Sequence, residues 1–598
     1  MSFWKKNNGN RGIRRRLEID PDEILIDASN LPEFDLDRFE GQIESPISKA
    51  RLYSIFAVFL IIGVVFSGKL WTLQVRDGKA YAEKSENNRL HQHIVFAERG
   101  LIVDRNGNTL VWNEPRENDL IPKRSYIETP GFAHVLGYVS YPKKDNSGFF
   151  YQENFDGKDG VEQVYNSELS GKNGLKLTET NARGEIESES TVLMPSNGER
   201  LTLSIDKRVN ESMSKQISLL AEKANFSGGA GVMMDVETGE IIALTSFPEF
   251  NSEAVSLGDS ETFKRFSEDK RTPFLNRVVS GTYTPGSIVK IFVALGVLSE
   301  NLVDPNKNFY SSGKIEVPNP YNKEEKSIFV DWKAHGYVDM RRAIAVSSNV
   351  YFYIVGGGFE GQKGLGITNI EKYMRMFGFG NLTGIEFNGE REGTVPNPTW
   401  KAENFDNDDW RLGDTYHTAI GQYGFQVTPI QAVRAVAAIA NNGKLMTPQL
   451  LSIASTSSAT PKWKDLPISP SYFQIVREGM KRATEEGTAR AMNMQDLTIG
   501  AKTGTAEIGI TKKYVNSWAI GFFPYDKPKY AFALLMEHGP RTNTIGAAAA
   551  MRGVFDDLRV TAPEYFGNKI IESGTNEPKE DVVEIEVERS NSGTSTTQ

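Results

Sequence analysis

Residues 229–247, GAGVMMDVETGEIIALTSF, read as two apolar strands joined at Glu237-Thr238-Gly239. Residues 516–538, NSWAIGFFPYDKPKYAFALLMEH, read as a second hairpin turning at Tyr525-Asp526-Lys527-Pro528. Between them lie helical stretches at Val289–Leu298, Met340–Val355, Pro429–Asn441 and Pro470–Glu485, and a strand-like run begins at Leu497. Strands at both ends of a region with helices in its middle predict an α+β fold, an antiparallel sheet packed by helices, over residues 199–566.

Working outward, residues 76–198 carry short strand-like runs, such as HIVFAERGLIVD at 93–104, among many turn residues. Before them, LYSIFAVFLIIGVVFSG, residues 52–68, holds no charge. Continued through Lys69, Leu70, Trp71 and Leu73, it is long enough for a bilayer core of about 30 Å, with Lys69 able to snorkel and Trp71 suited to the interface. A transmembrane helix is therefore expected over residues 50–75. Lys49, Arg51 and the cluster Lys5, Lys6, Arg11, Arg14, Arg15 and Arg16 precede it, so the tail 1–49 is expected to be flexible and cytoplasmic and the rest extracytoplasmic. Residues 567–598 are polar, acidic and rich in Ser and Thr, which predicts a disordered tail.

Composition narrows the function. The chain has 598 residues and a net charge of −9, an acidity that argues against a nucleic-acid binder. Its cysteine count of 0 excludes disulfides, thiolate zinc sites, iron–sulfur clusters and cysteine nucleophiles. The 6 histidines include no HExxH pair, and neither a Walker A loop nor a dinucleotide fingerprint is present, so no metal and no cofactor are expected.

Three elements could carry chemistry. In Tyr283-Thr284-Pro285-Gly286-Ser287-Ile288-Val289-Lys290, Pro and Gly precede an apolar helix, which sets Ser287 near a helix N-terminus where free N–H groups favour developing negative charge. Lys290 lies three residues on, on the same face, and a desolvated lysine can accept a serine proton. The S-x-x-K spacing recurs at Ser140, Ser204, Ser212, Ser267 and Ser311, so by itself it is weak. Ser347-Ser348-Asn349 places polar residues inside an expected helix, Ala343–Tyr353, where they must face a cleft or mark a kink or cap. Lys502-Thr503-Gly504-Thr505 lies on a strand-like run, and its ammonium and two hydroxyls suit a carboxylate, with Gly504 allowing a ligand's backbone to approach. The order S-x-x-K, S-x-N, K-T-G within one domain is the signature of penicillin-binding proteins and β-lactamases.

The chain resembles the class B penicillin-binding proteins, monofunctional peptidoglycan D,D-transpeptidases, from the membrane span to about residue 560. Beyond the three motifs the resemblance includes RGLIVDRNG (Arg99–Gly107), DGVEQVYNSELSGKNG (Asp159–Gly174), NRVVSGTYTPGSIVK (Asn276–Lys290), HGYVDMRRAIAVSSNVYFY (His335–Tyr353) and AIGQYGFQVTPIQA (Ala419–Ala432). His335-Gly336 before the S-x-N element and Trp410–Thr415 are most similar to the elongation type. The stretch from Asn113 to Asp159 looks shorter than in elongation-type members, Glu507 stands where Gln is usual, and Ile288-Val289 replaces a Thr/Val-Phe pair.

The resemblance implies an elongated, mostly β pedestal of the penicillin-binding protein dimerisation type at 76–198, and a transpeptidase domain at 199–566. It implies that Ser287 attacks the penultimate D-Ala carbonyl of a stem peptide ending in D-Ala-D-Ala, with Lys290 as base and Ser347 relaying a proton to the leaving amine. Asn349 would bind the substrate amide and orient Lys290, and Lys502 with Ser347 would complete the network. Thr503 and Thr505 would hold the terminal carboxylate, Gly504 would belong to the same substrate-binding strand, and the N–H groups of Ser287 and Thr505 would form an oxyanion hole. β-Lactams and a SEDS-type glycosyltransferase are implied as ligand and partner. The competing readings are a D,D-carboxypeptidase or β-lactamase using the same serine, a membrane β-lactam sensor, and a non-catalytic scaffold for a membrane glycosyltransferase.

Overall fold

The computed structural model describes residues 49–82, 90–117, 119–146, 148–180, 186–319, 322, 324–455 and 460–567. The two expected tails thus lie outside the described residues, apart from Lys49 and Gly567.

The N-terminal segment forms a unit of its own. Helix α1, Lys49–Trp71, continues into one π turn at Thr72–Arg76. Its stretch Leu52–Arg76, of 25 residues, is long and apolar enough to cross a membrane, and none of it is packed inside protein. A helix apolar on every side has no aqueous face to offer, which is the pattern of a lipid-exposed span.

The second unit begins with small sheets. Strands β1 (Ile102–Val103), β2 (Thr109–Arg116) and β3 (Asp119–Tyr126) form an antiparallel meander, and β1 also pairs in parallel with a strand that returns at Leu201–Thr202. Two short helices, α2 (Gly160–Val164) and α3 (Asn166–Ser170), pack beside them, and a separate three-stranded sheet runs Leu90–Val95, Gly174–Thr180, Ile186–Leu193, its last two strands antiparallel. At the centre, Glu162 is fully buried between two fully buried arginines. Arg99 Nε donates to its carboxylate at 2.5 Å and Arg124 Nε at 2.8 Å. The remaining guanidinium donors reach the carbonyls of Glu162 and Gly100, the side-chain oxygen of Asn113 and the Ser170 hydroxyl. Burial alone would raise the Glu162 carboxyl, but the two guanidiniums outweigh it and hold the group below its ordinary value.

The larger part of this unit is a three-layer sandwich. Its antiparallel sheet runs, in spatial order, Ile241–Phe247, Gly228–Asp235, Tyr530–Pro540, Tyr514–Phe523, Gly500–Ile508. Alternate residues of a strand face opposite ways. Val232 and Met234 therefore enter one core with Val433, Ile520 and Leu535, while Met233 enters the other with Val209, Met213, Phe532 and Phe555. Burial on both faces explains why these strands are continuously apolar. Helices Lys207–Ala224 and Ala547–Thr561 cover the second face, and Pro429–Ala440 lies on the first. Both hairpin turns fall where the sequence predicts them: Asp235 Oδ1 accepts from the N–H groups of Glu237 and Thr238, and Gly239 takes φ 80°. The first core also includes Ile102, Leu110 and Val111 of the meander, so the small sheets and the sandwich share one apolar interior.

Candidate active site

Ser287 lies in a 3₁₀ turn, Gly286–Val289, that leads into helix α4, Lys290–Ser299. The sequence predicts a helix from Val289; the structure starts the α-helix one residue later and tightens the turn before it. Ser287 is half-buried, and Lys290, one turn on, is 0% exposed. Its Nζ donates to the Ser347 carbonyl at 2.8 Å and to Asn349 Oδ1 at 2.7 Å, and lies 3.4 Å from the Ser347 hydroxyl. Among the described residues the Ser287 hydroxyl makes no side-chain hydrogen bond of its own. The structure thus places it one helical turn from Lys290 while the lysine is engaged with the second motif.

The second motif corrects the sequence reading. Met340–Val355 is not one helix. Helix α5 (Met340–Val346) stops at Ser347, which takes φ 58° and ψ 40°, and helix α6 (Asn349–Gly357) starts after Ser348. A non-glycine residue in the left-handed region costs on the order of 1 kcal/mol or more and persists only where its surroundings hold it. Here the break turns Ser347 out of the helical path and toward both lysines. Ser348 caps the second helix, accepting from the Tyr351 N–H at 3.3 Å and donating to Asp331 Oδ2 at 2.8 Å.

The third motif lies on Gly500–Ile508, which ends the sheet order and so leaves one edge unpaired by another strand of that sheet. Lys502 is 0% exposed. Its Nζ donates to Ser347 Oγ at 2.8 Å and to the Thr503 carbonyl at 2.8 Å. Thr503, on the opposite side of the strand, is half-buried and donates to Thr488 Oγ1 at 2.6 Å, while Thr505 is exposed. The sequence reading gave Gly504 a ligand's backbone as its neighbour. In the structure the close neighbour is the segment that carries Ser287: a Cβ there would meet the Pro285 carbonyl oxygen at 2.8 Å and Ile288 Cγ2 at 2.9 Å. Gly421 serves the same packing from behind, since a Cβ on it would lie 2.1 Å from the Gly286 oxygen. Gly286 N–H donates to the Gly421 carbonyl at 2.9 Å, and Trp518 Nε1–H to the Thr284 carbonyl at 3.0 Å.

The electrostatics follow from this packing. Burial lowers Lys290 from an ordinary 10.5 to about 7, partly opposed by the negative charge of Asp331. Burial, and then the charge of Lys290, push Lys502 well below its ordinary value. Burial therefore favours the neutral amine of Lys290 near neutral pH. Thr488, Asp331 and Gly421 are the neighbours that motif reading does not single out: Thr488 and Asp331 belong to no spaced motif, and the Gly421 contact joins segments more than 100 residues apart.

Known proteins share this architecture. Residues 229–558 match the family described as the penicillin binding protein transpeptidase domain, and residues 117–203 match the penicillin-binding protein dimerisation domain. The chain is 32% identical to the Peptidoglycan D,D-transpeptidase MrdA of Acinetobacter baumannii, over 86% of this chain and 88% of that one. It is 28% identical to the protein of the same name from Escherichia coli K12, over 73% and 71% of the two chains. Among solved structures, the Helicobacter pylori penicillin-binding protein PBP2 in complex with MreC superposes with a TM-score of 0.65 at 28% identity, covering 79% of this chain and 99% of that one. A chain of a peptidoglycan synthase complex that coordinates polymerization and crosslinking superposes with a TM-score of 0.66 at 25% identity, covering 87% and 99%.

Proposed function

The chain belongs to the penicillin-binding protein transpeptidases, and on that premise we propose that it crosslinks peptidoglycan stem peptides through an acyl-enzyme on Ser287. The observation that carries the assignment is the pair of fully buried lysines converging on one hydroxyl, Ser347, with Ser287 one helical turn from the nearer lysine.

In this reading Ser287 Oγ attacks the penultimate D-Ala carbonyl carbon and its proton passes to the neutral Lys290 amine. The tetrahedral oxyanion takes N–H bonds from Ser287 and Thr505, each worth about 3–4 kcal/mol in hydrolases. The peptide C–N bond breaks, and the leaving amine takes the proton by way of Ser347 Oγ, so that D-alanine departs with Ser287 esterified. An amine of a second stem peptide then attacks the ester carbonyl, its proton returns along the same path, and the Ser287 C–O bond breaks to leave a new amide. Asn349 Oδ1 holds Lys290 in place, Lys502 keeps the Ser347 hydroxyl oriented, and Thr503 and Thr505 receive the terminal carboxylate. The free edge of Gly500–Ile508, with Gly504 at its centre, suits a donor peptide added as a further strand.

The relatives named MrdA and the structural neighbour bound to MreC support a role in elongation. The same reading divides the chain at the expected boundaries into a cytoplasmic tail (1–49), a span (50–75), a pedestal (76–198), a transpeptidase domain (199–566) and a C-terminal tail (567–598). The basic residues before α1 support an extracytoplasmic catalytic domain. The likeness to a chain from a complex that coordinates polymerization with crosslinking supports a membrane glycosyltransferase partner of the SEDS type. Co-purification of a tagged chain from membranes, followed by mass spectrometry, tests that partner.

Intact mass of the detergent-solubilised protein after benzylpenicillin tests the site. One long-lived adduct on the wild type, absent from Ser287→Ala, is expected. An adduct retained by the variant, or none on the folded wild type, overturns the assignment.

A further inference from the structure

Under the Ser347 break lies a carboxylate that the reaction scheme does not use. Asp331 sits in the connection between two short strands, Lys326–Val330 and Gly336–Val338, and its side chain is 0% exposed. Its Oδ2 accepts from the Ser348 hydroxyl at 2.8 Å, the Val350 N–H at 2.9 Å and the Ser311 hydroxyl at 3.3 Å. Its Oδ1 accepts from the Trp332 N–H at 2.9 Å, and His335 Nε2 stands 3.7 Å away. A carboxylate stripped of water is costly unless its lone pairs are met, and here four donors meet them.

The placement of these donors matters more than their number. Ser348 immediately follows the left-handed Ser347, and Val350 is in the first turn of helix α6, so the carboxylate grips the chain on the far side of the break. Its charge also lies at the N-terminal end of that helix, where a negative group is favoured. Within the same turn, the Ser347 carbonyl and the Asn349 amide oxygen accept from Lys290. The Trp332 indole, adjacent in sequence, donates to the Val346 carbonyl at 3.3 Å, tying the same connection to the residue before the break. The three-residue turn is therefore clasped between one buried carboxylate and one buried amine that do not touch each other.

We propose that Asp331 is a positioning residue of the transpeptidase site, whose buried carboxylate pins the Ser347–Asn349 turn against the two lysines and supplies the counter-charge that Lys290 faces across it. The inference rests on the acyl-enzyme reading above. The charged groups facing Lys290 are Asp331 from this connection and Lys502 from the edge strand. Those facing Asp331 are Lys290, His335, which burial holds below its ordinary value, and the Tyr353 hydroxyl, which feels the same field.

Removing the charge while keeping the shape makes a direct test. A negative neighbour favours the ammonium form, so without it Lys290 gives up its proton at lower pH. In the full-length detergent-solubilised protein, the acylation rate with a fluorescent penicillin is measured from pH 5 to 9 for wild type, Asp331→Asn and Ser348→Ala. The wild type defines an acid limb; in Asp331→Asn that limb is expected to move down by about one pH unit, with the plateau lowered about tenfold as the turn loosens. Ser348→Ala keeps the charge and breaks the grip, so its plateau is expected to fall with the limb unmoved. A limb that stays in place in folded Asp331→Asn overturns the proposal, since a merely structural residue lowers the rate without moving it. Should Asp331→Asn fail to fold, a Ser348→Ala plateau within twofold of wild type overturns the proposal instead. Absence of Ser287-dependent labelling in the wild type itself would mark failure of the underlying reading, which the Ser287→Ala control separates from failure of this one.

Discussion

Beside the small sheets, Arg99 and Arg124 share one carboxylate, Glu162; in the catalytic region, Lys290 and Lys502 share one hydroxyl, Ser347. Each cluster buries two cations completely. The first pairs both with that carboxylate at contact distance and satisfies their remaining donors. The second leaves its carboxylate, Asp331, on the other side of a turn. The difference follows from what each cation can do: a guanidinium keeps its proton at any accessible pH and must be paired, whereas an ammonium can escape burial by releasing one. A buried charge that is met holds structure, and one left partly unmet is free to titrate.

The contrast can be broken by experiment. The largest effect is expected from Lys290→Met, which removes the proposed base: benzylpenicillin acylation, followed by quench and intact mass, should fall about 10³-fold. The variant should fold at least as well at neutral pH. Lys290 titrates near 7 in the folded protein and near 10.5 when unfolded, so between those values the unfolded chain binds the extra proton. Stability therefore rises with pH across that window in the wild type, and the Lys290→Met melting temperature should rise less steeply over it. Equal slopes would remove the energetic half of the comparison.

Glu162→Gln comes next, and in the opposite sense. It leaves two arginines buried with no counter-charge and should cost about 3–5 kcal/mol, read as a lowered urea midpoint. The folded fraction should acylate at the wild-type rate, because no atom of the cluster reaches Ser287. A Glu162→Gln protein of wild-type stability would show that the pedestal tolerates unmet charge as the catalytic region does. The smallest change is expected from Thr503→Val, which removes a hydroxyl that faces away from the lysines and is bonded to Thr488. It should lower kcat/KM for a peptide with a free terminal carboxylate about tenfold, a loss on the scale of one hydrogen bond to a charged group, with the acid limb unmoved.

Much of this was legible in the sequence. Both hairpins of the sheet, the amphipathic helix Pro470–Glu485 and the membrane-length helix follow from periodicity and turn residues, which act over a few positions. The motif residues Ser287, Lys290, Ser347, Asn349 and Lys502 were legible as a set because their order is distinctive. The break at Ser347 was legible only as an alternative, a kink or cap beside a cleft-facing helix. Its neighbours on both sides are strongly helical, and what overrides them is a grip from Asp331 and Lys290, which lie 16 and 57 residues away in the chain. The pairing of Thr503 with Thr488 was hidden for the same reason, as one threonine among many.

Gly504 shows where local reading stops. The sequence could say that a glycine in a strand permits close approach; only the packed structure shows that Pro285 and Ile288 make that approach. By itself the sequence determined most of the elements and which side chains are candidates for the chemistry, because propensity, period and motif spacing are short-range properties. The tertiary structure decided which buried charges are met and which are left to titrate. Desolvation and counter-charge depend on atoms brought together from distant parts of the chain, and no local pattern encodes their distances.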